Sequence, residues 1–421
     1  MITPPEITIP QTIRVARPTE QRLSNGVRML ALTNPGQNVV RISFVFEAGT
    51  TTQHKPFVAS SAQNLLSEGS SRHSAIEIAE ALDYYGSYFE VSLDRDYSVI
   101  TFCCLARFFE QSIGTFEEIL LDPLYAPDEI AIYASKRKQS LAIERRKTAT
   151  KARERFASAL FGADHPYGVS YDEKHYDNIT HNDLAEFYRR RYTAGNCFVV
   201  CSLDDDPARL ARIARFAEQV PQSEVCSPIE IAAPHSSLYD YEQVDSAVQS
   251  SIRVGKLLFG RRHPDFVGMQ VVSYILGGYF GSRLINNLRE RNGFTYSIFA
   301  SMVNMRHAGY MAIATDVGCE VSERAVEEIL YEVGRMGSEL VSTEELETVR
   351  RIMFGEFMRI LDGPMGLVDV TIEATQNGTD NGYIASSLEE IRTITPERVR
   401  DLAQRYLDPE TLTTVIVGNK N

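Results

Sequence analysis

The sequence predicts an α+β fold built as two homologous α/β sandwich domains, each a sheet with helices packed on one face, related by internal duplication. Three observations carry this. The chain has 421 residues, well beyond the commonest size of a single domain. It also repeats itself. Phe116-Glu117-Glu118-Ile119-Leu120 recurs as Val326-Glu327-Glu328-Ile329-Leu330, and Ile179-Thr180 with a helical pattern ending Arg191-Tyr192 recurs as Ile394-Thr395 and Arg405-Tyr406. Both offsets are close to half the chain, whereas solenoid repeats have periods of about 20–50 residues. Finally, strand runs and helical patterns mix without strict alternation, which favours α+β layering.

Taken in order, each half opens on a strand, Val39–Phe46 in the first and 247–258 in the second, with apolar residues on a period of two. A helix follows, over 59–67 and 266–288. A strand pair comes next, within 88–105 and 294–314. Two helices then start at Pro127-Asp128-Glu129 and Ser342-Thr343-Glu344-Glu345, where a cap or first-turn proline is joined by acidic residues that suit the positive helix end. Each half closes on a helix and a strand, 198–202 and 412–417. Three prolines among polar residues at 221–234 mark a linker, so the domains are expected at 1–220 and 236–421 with the linker at 221–235.

Composition narrows the function classes. With 43% hydrophobic and 24% charged residues the chain reads as globular with a sizeable core. A net charge of −13 argues against wholesale binding to nucleic acid or anionic membranes. No apolar run reaches the roughly 18 residues a membrane span needs. The start, Met1-Ile2-Thr3-Pro4-Pro5-Glu6, has no basic stretch leading into an apolar one, so the expected location is the cytoplasm, or the periplasm if a leader has been removed. The six cysteines follow no disulfide or metal spacing, and Cys197-Phe198-Val199-Val200-Cys201 reads as a core strand with buried free thiols.

The most specific segment is Ile275-Leu276-Gly277-Gly278, Ser282-Arg283-Leu284 and Leu288-Arg289-Glu290-Arg291-Asn292-Gly293-Phe294-Thr295-Tyr296-Ser297, joined by His165-Pro166-Tyr167-Gly168. Through these motifs the chain resembles the pitrilysin/insulinase class of metallopeptidases, in the branch of bacterial processing-peptidase-like subunits. The resemblance runs from Leu23-Ser24-Asn25-Gly26-Val27 to the final strand. It implies two repeated α+β domains per subunit, with paired subunits enclosing a cavity in which unfolded peptides are cut. It also implies a zinc site in an N-terminal domain, faced across the cavity by an Arg and a Tyr from a C-terminal domain.

Where that resemblance places the His-x-x-Glu-His motif, this sequence reads Ser60, Gln63 and Asn64, with Glu144 at the third ligand position. A helix supplies two ligands from i and i+4 because they share a face. Catalytic zinc wants three protein ligands and an open position for water. A hydroxyl and an amide are weak zinc ligands, and Gln63 cannot accept a proton from water. The eight histidines include no i,i+3 or i,i+4 pair. The expectation is that this chain holds no metal or cofactor of its own, and that zinc belongs to a partner.

Arg289 and Tyr296 match the family's Arg and Tyr in type and spacing. A guanidinium and a phenol are suitable donors to the negative oxygen of a tetrahedral intermediate. By spacing alone, Arg289 reads as a solvated helix residue and Tyr296 as a core strand residue, and only the resemblance reverses that; Arg291 reads as an exposed charge. Asn292-Gly293 is expected to break the helix, with Tyr296 opening the next strand. The segment 86–93 lies where the resemblance offers an edge strand to substrate, although Glu90-Val91 stands where the family often has Asn-Ala.

Two readings follow. In the first, the chain is the non-zinc subunit of a heterodimeric metallopeptidase, supplying Arg289, Tyr296 and half a cavity wall to a His-x-x-Glu-His partner that hydrolyses unfolded peptides. In the alternative, it is a non-catalytic scaffold or peptide-holding protein. A homodimer in isolation fits either, and neither involves nucleic acid or a membrane span.

Overall fold

The computed structural model describes residues 13, 15–222 and 238–420. The first half runs β1 (Thr19–Arg22), β2 (Arg28–Thr33), β3 (Val39–Phe46), α1 (Val58–Asn64), α2 (Ala75–Tyr84), β4 (Tyr88–Leu93), β5 (Ser98–Leu105), α3 (Phe109–Leu121), α4 (Pro127–Glu144), α5 (Thr148–Phe161), α6 (His181–Arg191), β6 (Cys197–Leu203) and α7 (Pro207–Glu218). The second runs β7 (Tyr239–Gln243), β8 (Gln249–Leu258), α8 (Phe266–Gly277), a π-helical segment (Ile285–Arg291), β9 (Ile298–Asn304), β10 (Gly309–Gly318), α9 (Ser322–Ser338), α10 (Thr343–Leu361), α11 (Pro364–Gln376), α12 (Asn381–Thr393), α13 (Pro396–Tyr406) and β11 (Thr413–Gly418). Of the expected linker at 221–235, only Pro221 and Gln222 fall within the described residues. Residues 1–6, Cys226 and His235 also lie outside them.

The two sheets repeat one connectivity. Their strand orders are β1-β2-β6-β3-β5-β4 and β7-β11-β8-β10-β9. In each, the closing strand lies between a parallel partner (β2 or β7) and an antiparallel one (β3 or β8). The sequence repeats fall on matching elements. Residues 116–120 lie in α3 and 326–330 in α9, while Thr180 and Thr395 cap α6 and α13. Each threonine accepts a backbone N–H, from Asp183 and from Arg398, which satisfies a donor that the start of a helix leaves unpaired.

Each sheet carries its own helices on one face. In the first, Met29, Ile42, Phe44 and Phe102 pack with Ala62, Phe116, Phe187 and Phe216 from α1, α3, α6 and α7. The alternate residues Leu30, Leu32, Val45 and Val200 face the other way and meet Val368 and Ile372 of α11, a helix of the second half. The second sheet reciprocates. Val254, Ile313 and Ile416 face its own helices, while Val415 and Val417 meet Ala152, Phe156 and Leu160 of α5. This exchange explains why the closing strands β6 and β11 carry the unbroken apolar runs 197–201 and 415–417, since a strand buried on both faces has no polar side to alternate. Gly255 accommodates it: an added Cβ would lie 3.0 Å from the Phe156 ring.

The single helix expected over 266–288 is two pieces. α8 ends at Gly277, and the π-helical segment starts at Ile285. The physical reason is close approach, because a Cβ on Gly277 would sit 2.6 Å from the Ala300 nitrogen of β9. Among the described residues no helix is long and apolar enough to cross a membrane.

Candidate functional site

Of the three residues at the zinc-motif positions, only Ser60 lines a cavity between the halves. Its Oγ donates to the Phe57 carbonyl at 3.0 Å, and Asn64 Nδ2 donates back to the Ser60 carbonyl at 2.8 Å. The two therefore share a helix face, as the i,i+4 rule requires. Gln63 does not join them. It is 1% exposed, and its Nε2 donates to Ser92 O and Ser98 Oγ, each at 2.8 Å, tying α1 to the β4–β5 hairpin. The position expected for a water-activating base thus holds an amide turned into the protein.

Glu144 is likewise elsewhere. It ends α4 at the surface, where a hydrogen bond from Lys147 at 2.7 Å holds its carboxyl below the usual range. It is not part of the cavity wall. Among the described residues no group of three or more His, Cys, Asp or Glu side chains is placed to hold a metal ion. The side chains of Ser60 and Asn64 are already committed to backbone carbonyls, so the donor set here does not fit a zinc ion.

The cavity has a volume of about 530 Å³ and is walled by both halves. The His-Pro-Tyr-Gly element builds part of it. Tyr167, 1% exposed, donates its hydroxyl to Asp96 Oδ1 at 2.8 Å, and Asp96 Oδ2 accepts the Arg306 backbone N–H at 3.2 Å. Burial, with the Asp96 charge beside it, pushes the Tyr167 hydroxyl well above its ordinary pKa. His165 supports the turn by accepting the Tyr167 N–H at 3.0 Å. Sequence reasoning missed Arg95 and Asp96 on this wall; the available signal was the charged Asp94-Arg95-Asp96 run between two apolar strands.

The Arg/Tyr pair is brought together. The Arg289 guanidinium carbon lies 4.6 Å from the Phe280 ring centre and 5.0 Å from that of Tyr296, so the cation is sandwiched between two aromatic rings. Its ion pair among the described residues is with the adjacent Glu290, at 3.4 Å. Tyr296 is not a core residue: it is 84% exposed and precedes β9 rather than opening it. Arg291 is exposed, as expected. Neither Arg289 nor Tyr296 lines the cavity that Ser60 lines.

Local structure explains how the pair is presented. Gly293, at φ +64°, turns the chain in the left-handed region that glycine adopts freely. Phe294 N–H then closes onto Leu288 O at 2.8 Å. Thr295 Oγ1 donates to Asp316 O at 2.8 Å and pins the segment beside β10. Upstream, Leu284 and Leu288 are fully buried, and Arg283 holds Glu345 of α10 through two contacts of 2.9 Å. Asn287 anchors the π-helical segment itself, donating to Glu328 and Glu332 at 2.8 Å each. Such widened turns recur at functional sites, where they re-aim a side chain.

β4 is an edge strand of the first sheet, opposite β1, and β9 an edge strand of the second, opposite β7. Along β4 exposed and half-buried residues alternate, with Tyr88, Glu90 and Ser92 outermost. Its outer backbone edge pairs with no described strand, the geometry that strand addition uses.

The comparisons with known proteins place these two interlocked α/β halves beside a peptidase family. The family model described as the peptidase M16 inactive domain matches residues 178–353, a span that contains Arg289 and Tyr296 and excludes α1. The chain is 22% identical over 343 residues to an uncharacterized zinc protease of Rickettsia bellii, covering 78% of this chain and 80% of the relative. It is 19% identical to the uncharacterized zinc protease YmxG of Bacillus subtilis, covering 94% and 97%. A crystal structure of a peptidase M16 inactive domain from Pseudomonas fluorescens superposes with a TM-score of 0.88 at 21% identity, covering 96% of this chain and 98% of that one. A protease from Helicobacter pylori gives 0.82 at 15% identity, covering 96% and 100%. Residues 178–353 thus resemble the peptidase M16 inactive domain, and over most of its length the chain is similar to uncharacterized zinc proteases and shares their M16-like fold.

Proposed function

We propose that this chain is the non-zinc subunit of a two-chain zinc metallopeptidase, giving Arg289 and Tyr296 to a partner that carries His-x-x-Glu-His. One observation carries the reading: the pair is assembled, with Tyr296 exposed and Arg289 half-buried, yet it is absent from the wall of this chain's own cavity. A pair kept for this chain alone would face that cavity. The partner's metal site would supply the activated water. Arg289 would hold a substrate carbonyl with its planar fork, and the Tyr296 hydroxyl, which has no partner among the described residues, would donate to the developing oxyanion. Engaging substrate would give up ring contacts worth about 0.5–1 kcal/mol at an exposed site. An oxyanion donor contributes about 3–4 kcal/mol, so the exchange favours the transition state.

The test is reconstitution with a His-x-x-Glu-His subunit of this family from the same genome, assaying peptide cleavage with and without chelator. Arg289→Ala and Tyr296→Phe should each lower kcat by about 10²–10³ while the complex still forms. Full activity from the doubly substituted chain would remove the reading. It would leave the peptide-holding alternative, which the open edge of β4 favours. Stoichiometric zinc in the purified chain would overturn its non-zinc part.

A further inference from the structure

We infer that the cavity between the two halves is a carboxylate-binding site, anchored by Arg95, that takes the C-terminal end of a short peptide or a small free acid. This goes beyond the subunit reading, since it requires neither a partner nor hydrolysis.

The charged groups around the wall are unequally engaged. Three carboxylates line the cavity, and each is already engaged. Glu154 pairs with Arg145 at 3.0 Å. Asp96 accepts the Tyr167 hydroxyl at 2.8 Å and the Arg306 N–H at 3.2 Å. Asp94 accepts the backbone N–H groups of Asp96 and Tyr97, each at 2.6 Å. Two guanidinium groups on the same wall, Arg95 and Arg153, make no hydrogen bond or ion pair with any described residue. The cavity therefore has unused cationic donors and no unused anion.

Arg95 is also held ready. Its turn is pinned by three backbone bonds from the neighbouring segment: Gly49 N–H to Asp96 O at 3.1 Å, Thr50 N–H to Asp94 O at 3.2 Å and Thr51 N–H to Arg95 O at 2.8 Å. Only glycine permits this approach, because a Cβ at Gly49 would lie 2.4 Å from the Arg95 carbonyl oxygen. Burial disfavours the Arg95 charge, a cost that an incoming carboxylate would offset. Thr50 adds a second observation. Its hydroxyl is buried without a hydrogen-bond partner among the described residues, and Thr50 lines the same cavity. Phe156 and Leu160 of α5 give an apolar wall for the side chain that would precede the carboxylate. The volume, about 530 Å³, lies in the range of roughly 300–1,000 Å³ usual for small-ligand sites.

The chain contains no tryptophan, so indole emission from a probe reports binding directly. The probes are an N-acetylated tripeptide bearing one Trp with a free C-terminus, the same peptide as its C-terminal amide, and N-acetyltryptophan. The free acid should bind at least about tenfold more tightly than the amide, the scale of one charge-assisted contact. Arg95→Gln should abolish that preference. N-acetyltryptophan binding as well as the tripeptide acid would identify the ligand as a small acid, and weaker binding as a peptide end. Equal binding of acid and amide, no binding at millimolar concentration, or an intact preference in Arg95→Gln would overturn the proposal. Should that variant not fold, Arg153→Gln at the exposed rim decides it, an undiminished preference counting against the site. With no partner present, failure here and failure of the peptidase reading are separate results.

Discussion

Asn287 is the residue on which the presentation of Arg289 depends. Its side chain is 4% exposed; Nδ2 donates to Glu328 and Glu332 at 2.8 Å each, and Oδ1 accepts Asn292 Nδ2 at 2.7 Å. Glu332 is 1% exposed and is otherwise held by Arg335 at 3.1 Å, a cation it shares with Glu339. In Asn287→Ala, water can replace the lost donor at half-exposed Glu328 but not at Glu332. A hydrogen bond to a buried charge contributes about 1.5–3 kcal/mol, so the variant should lose roughly 2–3 kcal/mol.

Asn287→Asp tests the same geometry more severely, because it sets a third carboxylate against two others. Like charges raise the folded-state pKa of the introduced group above its unfolded value of about 4. Its protonated form can still donate, so the penalty is absent below about pH 4 and grows as pH rises through the folded pKa. Urea unfolding followed by far-UV circular dichroism at pH 4.5 and 7 should therefore show the gap from wild type widening with pH. A gap that stays constant across that interval would mean that the donor geometry assigned to Asn287 is wrong.

Three further outcomes follow from the structure. Gln63→Glu should cost about 3–5 kcal/mol at neutral pH, since it places a buried charge against the Ser92 and Val99 carbonyls; a loss below about 1 kcal/mol in chemical denaturation would mean that the position opens to water. Phe156→Ala should cost about 3–5 kcal/mol and shift a single calorimetric transition, because α5 joins the second sheet; two separated transitions would show that the halves do not depend on the exchange. Burial alone would raise the Asp183 carboxyl, but hydrogen bonds from Lys55 and Thr180 outweigh it and hold the pKa down at about 2. Asp183→Asn should therefore cost roughly 2 kcal/mol at pH 7, with the gap closing as pH falls from about 4 to about 2; a gap unchanged at pH 2 would count against the pairing.

The duplication was legible because its signals are local. Thr180 and Thr395 announce helix starts by their own side chains, and Asn292-Gly293 announces a break by its own backbone. The exchange of α5 and α11 was not legible, since an apolar stripe on a helix does not say which sheet it covers. A hint was present in Val199-Val200-Cys201 and Val415-Ile416-Val417, whose unbroken apolarity signals burial on both faces. The π-helical segment escaped for a related reason: it is held by Asn287 reaching Glu328 and Glu332, residues far along the chain. Motif spacing placed Ser60 and Asn64 on one face correctly. It said nothing of Gln63, which lies about 100° around the helix from its neighbour Asn64 and so meets the sheet.

The exchange also limits where Arg289 can act. Ser60 belongs to the cavity wall, and Arg289 and Tyr296 do not. In a two-domain protein with a free hinge, closure brings such groups together. Here α5 is buried on the second sheet through Phe156 and Leu160, and α11 on the first through Val368 and Ile372. Moving one half against the other would open both interfaces at once. Exposing Phe156 alone forfeits an interaction whose loss costs about 3–5 kcal/mol, a large share of the roughly 5–15 kcal/mol that separates a folded domain from its unfolded chain. Rearrangement within the chain is therefore the expensive route. The Arg289–Tyr296 pair is already assembled, with Tyr296 exposed and Arg289 half-buried, so docking a second chain against it requires no such opening. In the subunit reading proposed above, the packing that joins the two halves would therefore leave Arg289 to draw its remaining groups from another molecule.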